Sequence, residues 1–133
     1  MSSVFADTFY WAALANKQDA SHQKAVEFAQ KYSGQSVTTE WIFAEVADGL
    51  ASTRHRHLIQ PLRQLWRTDR NLTVVEATHE FFERGMDLFC SRADKEWSLT
   101  DCISFIVMQQ FGLVEAVTAD HHFEQAGFLP LLY

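Results

Sequence analysis

Cysteine is scarce in this chain, with only Cys90 and Cys102 among 133 residues. A small domain held by an oxidised framework would carry more. The two cysteines also lack the C-x-x-C spacing of a structural zinc knuckle. Proline occurs twice, at Pro61 and Pro130, and glycine five times. No linker, repeat or low-complexity segment therefore suggests itself, and no glycine-rich phosphate loop is present. No run of about 18 uninterrupted apolar residues exists, so no membrane span is expected. No charged segment precedes an apolar stretch near residue 1, so no signal peptide is expected. A reduced, cytoplasmic protein is the simplest expectation. Positive charge is also in short supply, with 11 Lys and Arg against 17 Asp and Glu and a net charge of −6. That balance argues against a protein that coats nucleic acid indiscriminately. No serine or cysteine with a positioned base presents itself as a nucleophile.

What is present is apolar. Hydrophobic residues make up 47% of the chain, which suits one globular domain over residues 1–133. At this length about two thirds of the unfolded surface can be buried, so stability needs neither a disulfide nor a structural metal.

The apolar periodicity alternates between the two regular structures. Residues 4–7 read as a strand ending at an acid, and 8–16 as a helix. Asp19 or Ser21 caps a second helix that Gly34 ends. Residues 36–38 form a strand and 38–52 a helix. Pro61 suits the first turn of the next helix. Residues 72–77 form a strand, and Thr78 caps a helix to about Cys90. Ser98 opens a helix with Asp101 three residues on, a capping-box pattern with aspartate in place of glutamate. That helix stops at Gly112. Residues 114–118 and 128–132 are strands. This order predicts an α/β fold of three α/β/α layers, a mostly parallel twisted sheet of four to five strands flanked by helices.

In such sheets ligands bind beyond the carboxyl ends of the strands. Asp7 and Asp120 fall there. Asp101 lies on a helix that is apolar on nearly every side, sharing a face with Ser104, Phe105 and Met108. An ionised carboxylate in such surroundings costs several kcal/mol unless paired or bound to a cation. Capping alone is the other reading of Asp101. Glu45 shares a helix face with Trp41, Ile42 and Gly49, which turns it inward, an exposed or salt-bridged acid being the other reading, whereas Glu40 suits the helix dipole. Four acids from four segments thus converge at one sheet edge. Their mutual repulsion calls for a cation, and an all-oxygen set suits Mg²⁺ or Mn²⁺. Thr8 and Thr118 are candidates to hydrogen-bond these acids, and Asp94 to add an outer charge.

These residues carry a resemblance. The stretch VFADTFYWAAL, the D-x-x-H-x-x-A run of DASHQKA, TTEWIFAEV, WSLTDCISF and VTADHHFEQAGF resemble, in order, the elements of the PIN-domain nucleases. Among these the chain most resembles the VapC-type toxins of prokaryotic toxin–antitoxin pairs. The resemblance implies a Mg²⁺- or Mn²⁺-dependent endoribonuclease with Asp7, Glu45, Asp101 and Asp120 as both catalytic and metal-binding residues. It also implies a homodimer restrained by a cognate antitoxin. An RNA-processing PIN nuclease and a non-catalytic PIN-like binding module are the alternatives.

Two further features stand beside the resemblance. Residues 54–70 hold five arginines against one aspartate, giving +4 and leaving about −10 for the rest. Arg54, Arg56, Arg63 and Arg67 are the candidate RNA contacts, against the plainer reading of a solvated helix face. The motif DHH at 120–122 suggests a zinc site or a DHH phosphoesterase. The latter needs further Asp- and His-bearing motifs and a second domain. Adjacent histidines on a helical turn diverge by about 100°, unlike the i, i+4 pairs of helical zinc sites. The expectation is that Asp120 is the ligand, that Asp120→Ala weakens metal binding, and that His121→Ala and His122→Ala leave it largely intact.

Overall fold

The computed structural model describes residues 3–133. Five strands form one sheet: β1 (Ser3–Ala6), β2 (Gln35–Thr39), β3 (Leu72–Val75), β4 (Glu115–Val117) and β5 (Leu129–Pro130). Their spatial order is β3-β2-β1-β4-β5, and every pairing is parallel. The helices are α1 (Thr8–Ala15), α2 (His22–Lys31), α3 (Glu40–Gly49), α4 (Ile59–Thr68), α5 (His79–Ser91), α6 (Leu99–Gln110) and α7 (His121–Gln125), with a 3₁₀ turn at Arg56–Leu58. The order and type of elements follow the expected pattern. The ends differ: β1 stops one residue before Asp7, β3 stops at Val75, and β5 shrinks to two residues.

Central position explains the composition of β1. Its Val4, Phe5 and Ala6 are all buried, because a parallel strand covered on both faces has no solvent side. From β1 the chain winds outward through β2 to β3, then crosses back to β4 and β5. Right-handed crossovers place α1–α4 on one face and α5–α7 on the other. Winding reverses between β1 and β4, and such a reversal opens a crevice at the carboxyl ends of the two strands.

Aromatic side chains fill both layers. On one side Phe43 stacks on Trp66 at 3.7 Å and Trp11 meets Trp66 edge-on at 5.9 Å. On the other, Phe105 packs edge-on against Phe123 at 5.0 Å and Trp97 at 5.1 Å. Helix α6 is apolar around its circumference because it is enclosed: Ile103, Phe105, Val107 and Met108 are all buried. Gly85 of α5 lies directly over Ile103, where a Cβ would collide with the isoleucine side chain. Glycine at this position lets α5 and α6 approach closely. Gly112 adopts φ +67° just past α6, and Leu113 donates back to the Met108 carbonyl at 2.8 Å, the left-handed stop expected of a C-terminal glycine.

Candidate active site

Asp7 and Asp120 flank the crevice between β1 and β4. Asp7 is the N-cap of α1, yet its side chain makes no capping bond. The carboxylate is 4% exposed and accepts the Thr118 hydroxyl at Oδ2, 2.8 Å away. Burial is the main cause that lifts its pKa to about 7. The Thr118 bond opposes that rise, and the nearby charges of Asp101 and Asp120 add to it. Thr118 has a second role, since its Oγ1 accepts the Asp120 amide at 3.0 Å. One hydroxyl therefore ties the acid after β1 to the acid after β4.

Asp101 stands in the first turn of α6 and completes a capping box. Ser98 Oγ accepts the Asp101 amide at 3.0 Å, and Asp101 Oδ2 accepts the Ser98 amide at 3.1 Å. Capping and membership of the acid cluster coexist, because a carboxylate has two oxygens. Burial raises the pKa of Asp101, the Ser98 bond lowers it and Asp120 raises it again. The neighbours expected on its face, Ser104, Phe105 and Met108, are all fully enclosed.

Glu45 of α3 is held by Thr8, whose hydroxyl donates to Glu45 Oε1 at 2.5 Å. Gly49 is exposed with open space beyond it, so close packing there is not what turns Glu45 inward. The Thr8 hydroxyl, one residue from Asp7, is. Glu40 lies elsewhere, exposed in the first turn of α3 and accepting the Ala77 amide at 2.6 Å.

The two histidines behave differently. Ligand atoms of Asp120, His121 and His122 nevertheless lie within 4.8 Å of one another, closer than the expected divergence of adjacent histidines suggests. His121 is 69% exposed on its side chain, with Nδ1 3.8 Å from Asp120 Oδ1. His122 is 20% exposed, and its Nδ1 lies 3.0 Å from Asp101 Oδ2 and 3.5 Å from Asp120 Oδ1. Its backbone amide also donates to Asp120 Oδ1 at 2.9 Å. The amide contact was legible, since Asp accepts readily from the residue two positions on. The ring contact was not, because it depends on how α6 packs beside α7.

Asp94 is committed to a different partner. It is exposed and held by Arg92 through two bonds of 2.9 and 3.0 Å, which pull its pKa to about 2. Arg54, Arg56, Arg63 and Arg67 are exposed, and none has an acidic partner among the described residues. Arg54 lines a cleft of about 420 Å³ with Lys17, His55, His57, Asn16 and Gln18, and no carboxylate faces it. Lys17 was not singled out from the sequence, since a lone lysine in a turn carries no signal. His22, by contrast, has its ring bonded to the Ala13 carbonyl at 2.8 Å, a structural contact.

The donor set fits a hard divalent cation. Asp101, Asp120 and Glu45 each give one oxygen to a protein donor, and their second oxygens have no protein partner among the described residues. No lysine or arginine among those residues pairs with any of the four acids. Such a cluster of oxygen donors, with Asp7 buried in it, is poised to accept an ion that brings its own waters.

The family model described as "PIN domain" matches residues 4–129. The chain belongs to the PIN-domain family. Within it, the chain is 28% identical over 126 residues to the 23S rRNA-specific endonuclease VapC20 of Mycobacterium tuberculosis, covering 95% of each sequence. The crystal structure of M. tuberculosis VapC20, a sarcin-ricin loop cleaving toxin, superposes with a TM-score of 0.87 at 25% identity, covering 96% of this chain and 98% of that one. A toxin–antitoxin complex from Klebsiella pneumoniae shares the fold at a TM-score of 0.61 and 19% identity, over 89% of this chain and 87% of its own. No helix among the described residues is long and apolar enough to cross a membrane.

Proposed function

We propose that this chain is a Mg²⁺- or Mn²⁺-dependent endoribonuclease and the toxin of a toxin–antitoxin pair. What supports the proposal is that Thr118 ties Asp7 to Asp120 and His122 ties Asp101 to Asp120 at the switch point of the sheet, with Glu45 held by Thr8, next in the chain to Asp7. Neighbouring carboxylates with unspent oxygens and no lysine or arginine partner among the described residues are costly to assemble without a cation. When bound, the ion supplies a polarised water and a counter-charge for the phosphodiester oxygens. The chain's own residues hold that arrangement: Thr118 fixes Asp7, Thr8 fixes Glu45, and the capping box fixes Asp101. Asp94 contributes at most a distant charge in this reading, because Arg92 already neutralises it.

RNA is the substrate class, in line with the VapC20 relatives, and 23S rRNA is the first substrate to test. The cleft of Lys17, Arg54, His55 and His57, together with the exposed Arg56, Arg63 and Arg67 that follow in the chain, is the surface we assign to the phosphate backbone. Such contacts attract RNA without reading its sequence. A homodimer and a cognate antitoxin, both in the cytoplasm, complete the reading. The antitoxin is supported by the toxin–antitoxin complex sharing the fold.

Two assays test the proposal together. Purified protein with Mn²⁺ should cleave ribosomal RNA, and Asp7→Asn or Asp101→Asn should reduce the rate at least 100-fold. Calorimetric titration should show saturable Mn²⁺ binding that both variants lose. An intact, folded protein that binds no Mn²⁺ would overturn the metal-dependent reading. Growth arrest on expression, relieved by a neighbouring small gene product, tests the toxin assignment. Normal growth under strong expression would overturn it.

A further inference from the structure

We propose that His122 is a positioning residue that sets two carboxylates of this site at once, Asp101 through its ring and Asp120 through its backbone. Two donors converge on Asp101 Oδ2: the Ser98 amide at 3.1 Å and His122 Nδ1 at 3.0 Å. With that oxygen occupied from two directions, the carboxylate plane is held and Oδ1 is the atom left for a ligand. The His122 amide meanwhile occupies Asp120 Oδ1 at 2.9 Å, leaving Oδ2. The ring contact needs a proton on Nδ1. Nε2 has no protein partner among the described residues.

The position of His122 is fixed by the helix it belongs to. Phe123, next in the chain, is fully buried against Phe105 of α6. That anchor holds the first turn of α7 against the helix that carries Asp101. His121 shares the turn but not the role. Its ring is solvent-facing, and its 3.8 Å separation from Asp120 is too long for a hydrogen bond.

The inference rests on the metal reading of the site, and it adds a residue that the four-acid description omits. Partners that orient metal-binding side chains usually change affinity by about 10–100-fold when removed. The test is Mn²⁺ binding by calorimetry on the full chain, with circular dichroism and melting as checks of folding. His122→Ala should weaken Mn²⁺ binding about tenfold or more, and His121→Ala should stay within about twofold. The amide of Asn places a donor where Nδ1 sits, whereas that of Gln reaches to the place of Nε2. His122→Asn should therefore recover binding to within about threefold of the parent, and His122→Gln should not. Should His122→Ala fail to fold, the Asn and Gln pair decides alone.

A folded His122→Ala that binds Mn²⁺ like the parent overturns the inference. So does a His122→Asn no better than His122→Gln, because the Nδ1 bond is then not what the residue supplies. A parent chain that binds no Mn²⁺ overturns the metal reading itself, an outcome distinct from either.

Discussion

Thr118 donates its hydroxyl proton to Asp7 across 111 positions of sequence, at 2.8 Å, in the buried seam between β1 and β4. The same oxygen receives the Asp120 amide. Replacing it by the near-isosteric valine leaves a buried carboxylate oxygen and an amide without partners. Each such loss costs about 1–3 kcal/mol. Thr118→Val should therefore lower the melting temperature by several degrees, and Thr118→Ser, which keeps the hydroxyl, should fall between it and the parent. Thermal denaturation of the three proteins checks this.

Asp7 makes stability depend on pH in an unusual direction. Its folded pKa of about 7 stands above the 3.8 of an unperturbed aspartate. Between those values the folded chain holds a proton that the unfolded chain has released. Raising the pH through that window therefore removes stability, and the loss is complete above about pH 7. Asp7→Asn carries no such dependence. In metal-free buffer at pH 8 it should melt roughly 5 °C or more above the parent, taking a penalty of a few kcal/mol and a few degrees per kcal/mol. At pH 4 the difference should shrink. Added Mn²⁺ should raise the melting temperature of the parent and leave the variant unchanged, reversing the order at pH 8. A parent that gains stability between pH 4 and 7 relative to Asp7→Asn would contradict the burial argument.

The contact of Gly85 with Ile103 predicts a packing defect on demand. Gly85→Ala places a methyl group inside the Ile103 side chain, and overpacking of this kind costs about 1–3 kcal/mol. The double variant with Ile103→Ala should lose less than the sum of the two single losses. Chemical denaturation of all four proteins gives the coupling directly.

The cleft at Lys17 and Arg54 predicts a salt effect. If these side chains contact phosphates, Lys17→Ala and Arg54→Ala should each weaken RNA binding across sequences and reduce the slope of log K against log salt by about 1. Mn²⁺ binding should be unchanged. Fluorescence anisotropy with a labelled RNA at several salt concentrations measures both slopes.

Much of the fold was legible because its signals are local. Asp–Thr after β1, the Ser98 and Asp101 pair, Thr78 and Gly112 each announce a boundary within a few residues, and all four act as read. The all-parallel sheet followed from the alternation of elements. The placing of the acids was legible at Asp7 and Asp120, where strand ends point to the sheet edge. Glu45 was harder. Its face was read partly from Gly49, which proves exposed, and the contact that matters comes from Thr8, 37 positions away. The His122 ring was not readable at all. Its partner lies 21 positions away on another helix, and no periodicity within α7 encodes the way two helices cross. Asp94 drew attention as a free acid, but a bidentate pair with an arginine two residues back is an equally local possibility that the surrounding polarity concealed.

The central strand of the sheet is the first to be made, and its neighbour β4 is the last but one. Asp7 directly follows the former and Asp120 lies beyond the latter, so the first and the fourth acid enter the chain 113 positions apart. A chain made only as far as β3 carries Asp7 and Glu45 but neither Asp101 nor Asp120. On the proposed reading of the four acids as one metal site, that topology leaves the site incomplete until α6 and β4 have both been made.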